Sequence, residues 1–147
     1  MTEYRGSWTA EEVEDFLEEA KIPVRLATTR PDGSMWIVTL WFRYRDGSLE
    51  CATQENSAVV RFLRNDPEVA FEVSTNQIPY RGIRGTGVTT VSTDSDKRVL
   101  RDLVDRYLGD TDSSLAKWLL SEDRSEVSIR IDMQDVYSWD YSDRMNQ

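Results

Sequence analysis

Apolar and polar positions change period several times along this 147-residue chain, and each change marks an element. Thr9 to Glu19 reads as a helix: Val13, Phe16 and Leu17 recur on one side at helical spacing, and the opposite face is acidic. Thr9 and Glu12 form a capping-box pattern at its start. Val24 to Thr29 reads as a strand, followed by the turn signal RPDG at 30–33. The run MWIVTLWFRY then predicts one long strand over 35–44. Trp36, Val38, Leu40 and Phe42 share one face, while Met35, Ile37, Thr39 and Trp41 share the other. Both faces are largely apolar. One is expected to fill a core, and the other to meet a second layer, a ligand or a partner subunit.

RDG at 45–47 predicts a hairpin turn into a third strand, SLECAT. Asn56 or Ser57 then caps a short helix with Val59, Val60 and Leu63 on its buried side, ended by NDP. VAFEVS (69–74) predicts a fourth strand, NQIPYRG (76–82) a loop, and IRGTGVTTVS (83–92) a fifth strand. In the last of these, Gly85 and Gly87 mark a bend, a bulge or a close backbone approach. Ser95 to Leu108 predicts a helix stopped by Gly109, and 114–120 a shorter one. SEVSIRIDM and DVYSWDY predict two closing strands. Antiparallel hairpins with helices inserted between them predict an α+β, barrel-like fold in a single domain over residues 1–147.

Composition narrows the partners. A net charge of −9 argues against nucleic acid or anionic membrane surfaces. Arginine outnumbers lysine fifteen to three, and acid is spread evenly along the chain. That pattern has two readings, adaptation to high salt or an ordinary acidic surface. No stretch approaches the ~18 apolar residues of a membrane span. MTEYRGSWTAEEVEDF has no apolar signal-peptide region, so a soluble, cytoplasmic protein is expected. The single cysteine, Cys51, lies in a strand-like setting and is expected to be a buried, inert thiol. The chain has no histidine, which removes Ser-His-Asp and Cys-His nucleophile systems, His-ligated zinc and His-ligated haem. No metal site and no catalytic side chain are identified, so any chemistry falls to a bound cofactor.

Four stretches in this order carry a resemblance to a known family. They are RLATTRPDG; VTLWF; AT, NS and VVRFLRNDPEVAF; and RIDMQDVYSWDY. Together, over about residues 22–141, they resemble the FMN-binding split-barrel family of pyridoxamine 5′-phosphate oxidase-like proteins. The resemblance implies an antiparallel split β-barrel of about six or seven strands with short flanking helices. It also implies a homodimer with flavin at the subunit interface. The ring would lie along Val38, Thr39, Leu40 and Trp41. The phosphate would meet Thr53, Gln54, Ser57 and the following helix start, and the partner would supply groups around Tyr80, Arg84 and Trp139. Trp41 and Trp139 also read as ordinary core residues.

Family members that bind FMN well place basic residues just after the serine; here Ala58 and Val59 stand there, and Phe62 replaces a later asparagine. Loss of two charge-assisted contacts weakens FMN by roughly 10- to 1000-fold unless other groups replace them. Arg43, Arg61, Arg81 and Arg84 are the candidate replacements, although Arg61 and Arg64 also read as a solvated helix face, and Arg81 and Arg84 as partners of surface carboxylates. Glu55 opposes a phosphate. The resemblance implies a flavin-dependent oxidoreductase acting on a small molecule or electron donor. The alternatives are a deazaflavin-dependent reductase of the same fold, or a non-catalytic dimer. Authentic pyridoxamine 5′-phosphate oxidase activity is not expected, because the chain ends DYSDRMNQ without the family's arginine-rich segment.

Overall fold

The computed structural model describes residues 1–145. In chain order the elements are β1 (Glu3–Gly6), α1 (Ala10–Glu19), β2 (Val24–Thr29), β3 (Met35–Leu40), β4 (Arg43–Arg45), β5 (Ser48–Gln54), α2 (Ala58–Asn65), β6 (Glu68–Ser74) and β7 (Arg81–Thr93). A 3-10 turn (Ser95–Lys97), α3 (Arg98–Leu108), α4 (Ser114–Leu119), β8 (Glu126–Asp140) and α5 (Ser142–Met145) complete it. The strands form one sheet in the order β3-β2-β6-β7-β8-β5-β4, with β1 added parallel to β8. All other pairings are antiparallel. The sheet curls so that β3 and β5, far apart in this order, come back into contact. This is an antiparallel split barrel, as expected, with eight strands instead of six or seven; β1 and α5 had no periodic signal.

The interior of the curl is filled by side chains such as Leu26, Phe42, Leu49, Ile83, Ile129 and Ile131, all wholly buried, with Val13 and Leu17 of α1 and Val60 of α2 closing over them. Each such side chain contributes about 1.5–3 kcal/mol by leaving water. A smaller cluster of Leu100, Val104 and Ala116, joined by Trp41 and Leu119, lies under α3 and α4. The expected capping box of α1 is formed: Glu12 N–H donates to Thr9 Oγ1 at 3.2 Å, and Thr9 N–H donates to Glu12 Oε1 at 3.1 Å.

Three elements differ from the sequence expectations. The strand expected over 35–44 is broken at Trp41 and Phe42. There the Tyr107 hydroxyl accepts from Phe42 N–H at 3.2 Å and lies 3.1 Å from Phe42 O and 2.9 Å from Ile22 O. A side chain thus satisfies the backbone that a strand ladder would otherwise have to satisfy. Next, α3 starts at Arg98, not Ser95, because Asp96 and Lys97 have φ of 56° and 54°. The buried Asp94 carboxylate accepts from Val99 N–H at 3.1 Å and Leu100 N–H at 3.0 Å and caps the helix there.

The third difference is that the two expected closing strands are one 15-residue strand, β8. It pairs with β7 along its length, with β5 over 126–132, and with β1 over 135–138. The β7 register shifts between Thr86 and Gly87, leaving Gln134 without a partner in β7, so a bulge lies where the two expected strands were divided. Close approach at Gly85 is confirmed: a Cβ there would lie 2.1 Å from the Asp135 carbonyl oxygen. Among the described residues, no helix is long and apolar enough to cross a membrane.

Candidate functional site

The split between β3 and β5 opens as a notch of about 330 Å³. Thr39, Leu40 and Trp41 wall one side, Ala52 and Thr53 the other, and Leu115 and Leu119 approach from the helices. Arg124 and Glu126, at the entry to β8, complete the lining. Its size and largely apolar walls are those of a small-molecule pocket.

The loop after β5 leads from this notch into α2. Thr53 Oγ1 donates to Ser57 Oγ at 3.4 Å. Ser57 is the N-cap of α2, but its side chain bonds none of the first-turn N–H groups. Those donors and the positive end of the helix are left without a side-chain acceptor, an arrangement suited to an anion. The loop is held from both sides: Ser57 N–H donates to Gln54 O at 3.1 Å, and Glu55 N–H donates to Ser125 O at 2.8 Å.

The candidate residues read from sequence fall into two groups. Thr39, Leu40, Trp41 and Thr53 line the notch, with Gln54 and Ser57 continuing from it. Val38 and Leu40 are half-buried and pack on the core, and Thr39 is exposed. Trp41 stacks flat on Tyr107, with centroids 5.1 Å apart and planes 4° from parallel. Arg61 is exposed, its Nη1 donating to Asn56 O at 3.4 Å. Arg43 is 13% exposed and already held by Glu50, at 3.0 Å, and by Asp102. Phe62 packs edge-on against Trp36 at 5.1 Å.

Arg84 and Trp139 belong to the outer face of the sheet, where the Arg84 guanidinium lies 4.5 Å from the Tyr137 ring centroid and 5.3 Å from that of Trp139. Tyr80 is exposed in the loop that precedes β7. Across this outer face runs an open groove of about 480 Å³ with Ile37, Ala27, Ala70 and Tyr137 along it. The Arg25–Glu72 pair, at 3.6 Å, sits at its side. Met35 and Ile37 are 67% and 66% exposed, so the second apolar face of β3 stands bare in the single chain.

Sequence reading missed Arg124 and Glu126. Arg124 Nε donates to Glu126 Oε1 at 2.9 Å, and its guanidinium lies 4.6 Å from the Trp118 ring centroid. The Glu126 side chain is wholly enclosed, and its Oε2 has no hydrogen-bond partner among the described residues. Their place at the notch follows from the β5–β8 register, which sets Gln54 beside Glu126 across seventy-two residues of chain. No local pattern announces that pairing. The expected inert thiol is present: Cys51 is fully buried, and burial, reinforced by Glu50, pushes its pKa up to about 12.

Comparison with known proteins agrees with this architecture. A conserved hypothetical protein from Mycobacterium tuberculosis superposes with a TM-score of 0.75 at 25% identity, covering 92% of this chain and 86% of its own. An F420 reductase superposes with a TM-score of 0.72, also at 25% identity, covering 87% and 98%. The heme storage protein HutZ from Vibrio cholerae shares the fold at 14% identity, with a TM-score of 0.65 and coverage of 86% and 92%. No curated protein matches the chain. The family model for pyridoxamine 5′-phosphate oxidase matches residues 9–140, and with nearly the whole chain inside that match, the protein belongs to the pyridoxamine 5′-phosphate oxidase family.

Proposed function

We propose that this protein binds FMN and acts as a flavin-dependent oxidoreductase on a small molecule, as a cytoplasmic homodimer with the cofactor at the subunit interface. The observation that carries this reading is the notch, with its apolar walls, joined through Thr53 to the uncapped start of α2 at Ser57. These residues fit a flavin. Leu40 and Trp41 offer an apolar side for a ring, Thr53 and Ser57 offer hydroxyls, and the first turn of α2 offers free N–H donors to a phosphate. When bound, the flavin supplies the redox centre. The chain supplies position, shelter from water and hydrogen bonds, and the absence of histidine does not matter for that role. The bare apolar face of β3, with its groove, is suited to a second copy.

A deazaflavin is the second reading. It is favoured by the likeness to an F420 reductase over 98% of that chain, and by Ala58 and Val59 where basic residues are expected.

The first experiment is a visible absorption spectrum of the purified protein, followed by titration of the colourless fraction with FMN while flavin fluorescence is monitored. Combined Thr53→Ala and Ser57→Ala should weaken FMN roughly 10- to 100-fold, since two hydrogen-bonding groups are lost. Arg64→Ala, further along α2, should leave affinity unchanged. Equal affinities for the wild type and the double variant would remove the loop from the site.

A further inference from the structure

We infer that Arg124 is the cation that holds the ligand's phosphate, in place of the basic residues missing at Ala58 and Val59; this inference rests on the flavin reading above. Among the described residues Arg124 is the one cation lining the notch. Of the other arginines considered from sequence, Arg61 is exposed on α2 with its Nη1 on Asn56 O, outside the notch lining, and Arg81 lies over the Phe16 ring at 5.8 Å. Arg43 is taken by two carboxylates, and Arg84 lies on the outer face of the sheet.

The position of Arg124 follows from the backbone. Its neighbour Ser125 accepts the N–H of Glu55, so the segment entering β8 is tied directly to the loop between Thr53 and Ser57. Two residues on, Glu126 pairs with Gln54 in the sheet. Arg124 therefore stands beside the same loop that offers the Thr53 and Ser57 hydroxyls and leads into the uncapped start of α2.

Its orientation is also fixed. Nε points inward to Glu126 Oε1 at 2.9 Å, and the guanidinium rests on Trp118. The Nη atoms donate to no protein group among the described residues, and they are not enclosed. Two parallel N–H donors held on a planar fork match a phosphate oxygen pair. Trp118 and Glu126 restrict the rotation that a free arginine loses on binding, and the side chain is only 14% exposed, where an ion pair is screened less than at the surface.

Glu126 explains why the fork keeps this orientation. Its carboxylate is wholly buried, with Oε2 unpartnered among the described residues and Oε1 bound to Arg124, which offsets part of the cost of burying it. The carboxylate also lowers the net charge of the pair. Arg124 acts on a phosphate mainly through directed hydrogen bonds rather than long-range attraction.

The test compares FMN with riboflavin, which lacks the phosphate, by fluorescence titration of the full chain. The wild type should bind FMN more tightly than riboflavin. Arg124→Gln should weaken FMN roughly 10- to 100-fold and leave riboflavin within about twofold, because only the phosphate contact is lost. Arg124→Lys should recover part of the FMN affinity. Since Arg124→Gln leaves Glu126 buried without its partner, Arg124→Gln with Glu126→Gln removes the buried charge and should give the same selective loss. An FMN-to-riboflavin ratio unchanged in both variants would overturn the assignment, as would an equal loss of both ligands in the double variant. A wild type that binds neither flavin would overturn the flavin reading itself, and with it this inference.

Discussion

Removing one oxygen atom by Tyr107→Phe tests how the edge of the notch is built. The Tyr107 hydroxyl accepts from Phe42 N–H at 3.2 Å and can donate to Ile22 O or Phe42 O, at 2.9 and 3.1 Å. Phe42 is wholly buried, so water cannot replace these bonds. Without the hydroxyl, one buried N–H and one carbonyl lose their partner, each costing about 1–3 kcal/mol. Taking each loss at about 1–2 kcal/mol, the lower part of that range, a net loss of about 2–4 kcal/mol is expected. For a chain of this size that lowers the melting temperature by roughly 5–15 °C. Urea unfolding followed by tryptophan fluorescence reads it as a shift in midpoint at unchanged slope. The ring stack on Trp41 survives the change, so the loss belongs to the hydroxyl. A destabilisation under about 0.5 kcal/mol would refute the account of the break between β3 and β4, since it is below the cost of even one unsatisfied buried group.

Other perturbations address separate features. Gly85→Ala places a Cβ 2.1 Å from the Asp135 carbonyl oxygen, and neither backbone can yield without opening the β7–β8 ladder. A loss of at least about 3 kcal/mol or failure to accumulate soluble protein is expected, and an unchanged urea midpoint would disprove the register. Ile37→Glu puts a charge at the centre of the bare outer face. Light scattering on a sizing column should then report a monomer where the wild type gives a dimer, and a dimer of undiminished stability would move the interface elsewhere. Cys51, its pKa raised from 9.0 to about 12 by burial, should not react with a thiol reagent at pH 8 until the protein unfolds. Because the folded value is the higher one, its stabilisation is complete below about pH 9 and is lost as pH rises toward 12. Cys51→Ala should flatten the slope of stability between about pH 9 and 10, below the ordinary tyrosine range; a slope unaltered by the change would assign it to other groups.

Elements set by local chemistry were legible in the sequence. The α1 cap, the turn at 30–33, β2 and the end of α2 all follow from residues within a few positions of one another. The double apolar face of 35–40 led correctly to one side packed on the core, while the side expected to meet a second layer, a ligand or a partner is exposed at Met35 and Ile37. The misreadings involve partners distant in sequence. Tyr107 interrupts β3 from sixty-five residues away, and nothing near Phe42 announces it. Gln134, which separates the two expected closing strands, is the bulge of one continuous strand, and the β7 register that sets it comes from residues some fifty positions away. At the candidate site, the strand and loop residues were visible because they are contiguous. Arg124 was not, since it reads as a loop arginine until the β5–β8 register brings it beside Thr53 and Ser57.

The unbroken length of β8 bears on how the two surfaces communicate. Glu126 stands at the notch and Tyr137 on the outer face, on one strand, roughly 35 Å apart along it. Neighbouring strands hydrogen-bond β8 on its flanks, so exposing its amides at either end requires breaking the same ladder. The two ends therefore belong to one cooperative unit, and their amides should exchange with solvent at a common, slow rate. Anything that binds only the folded state at one end slows opening at the other by mass action, with no hinge or lid required. A ligand in the notch and a second copy on the outer face would then be linked through this one strand, and hydrogen exchange at the outer-face amides becomes a gauge of what occupies the notch.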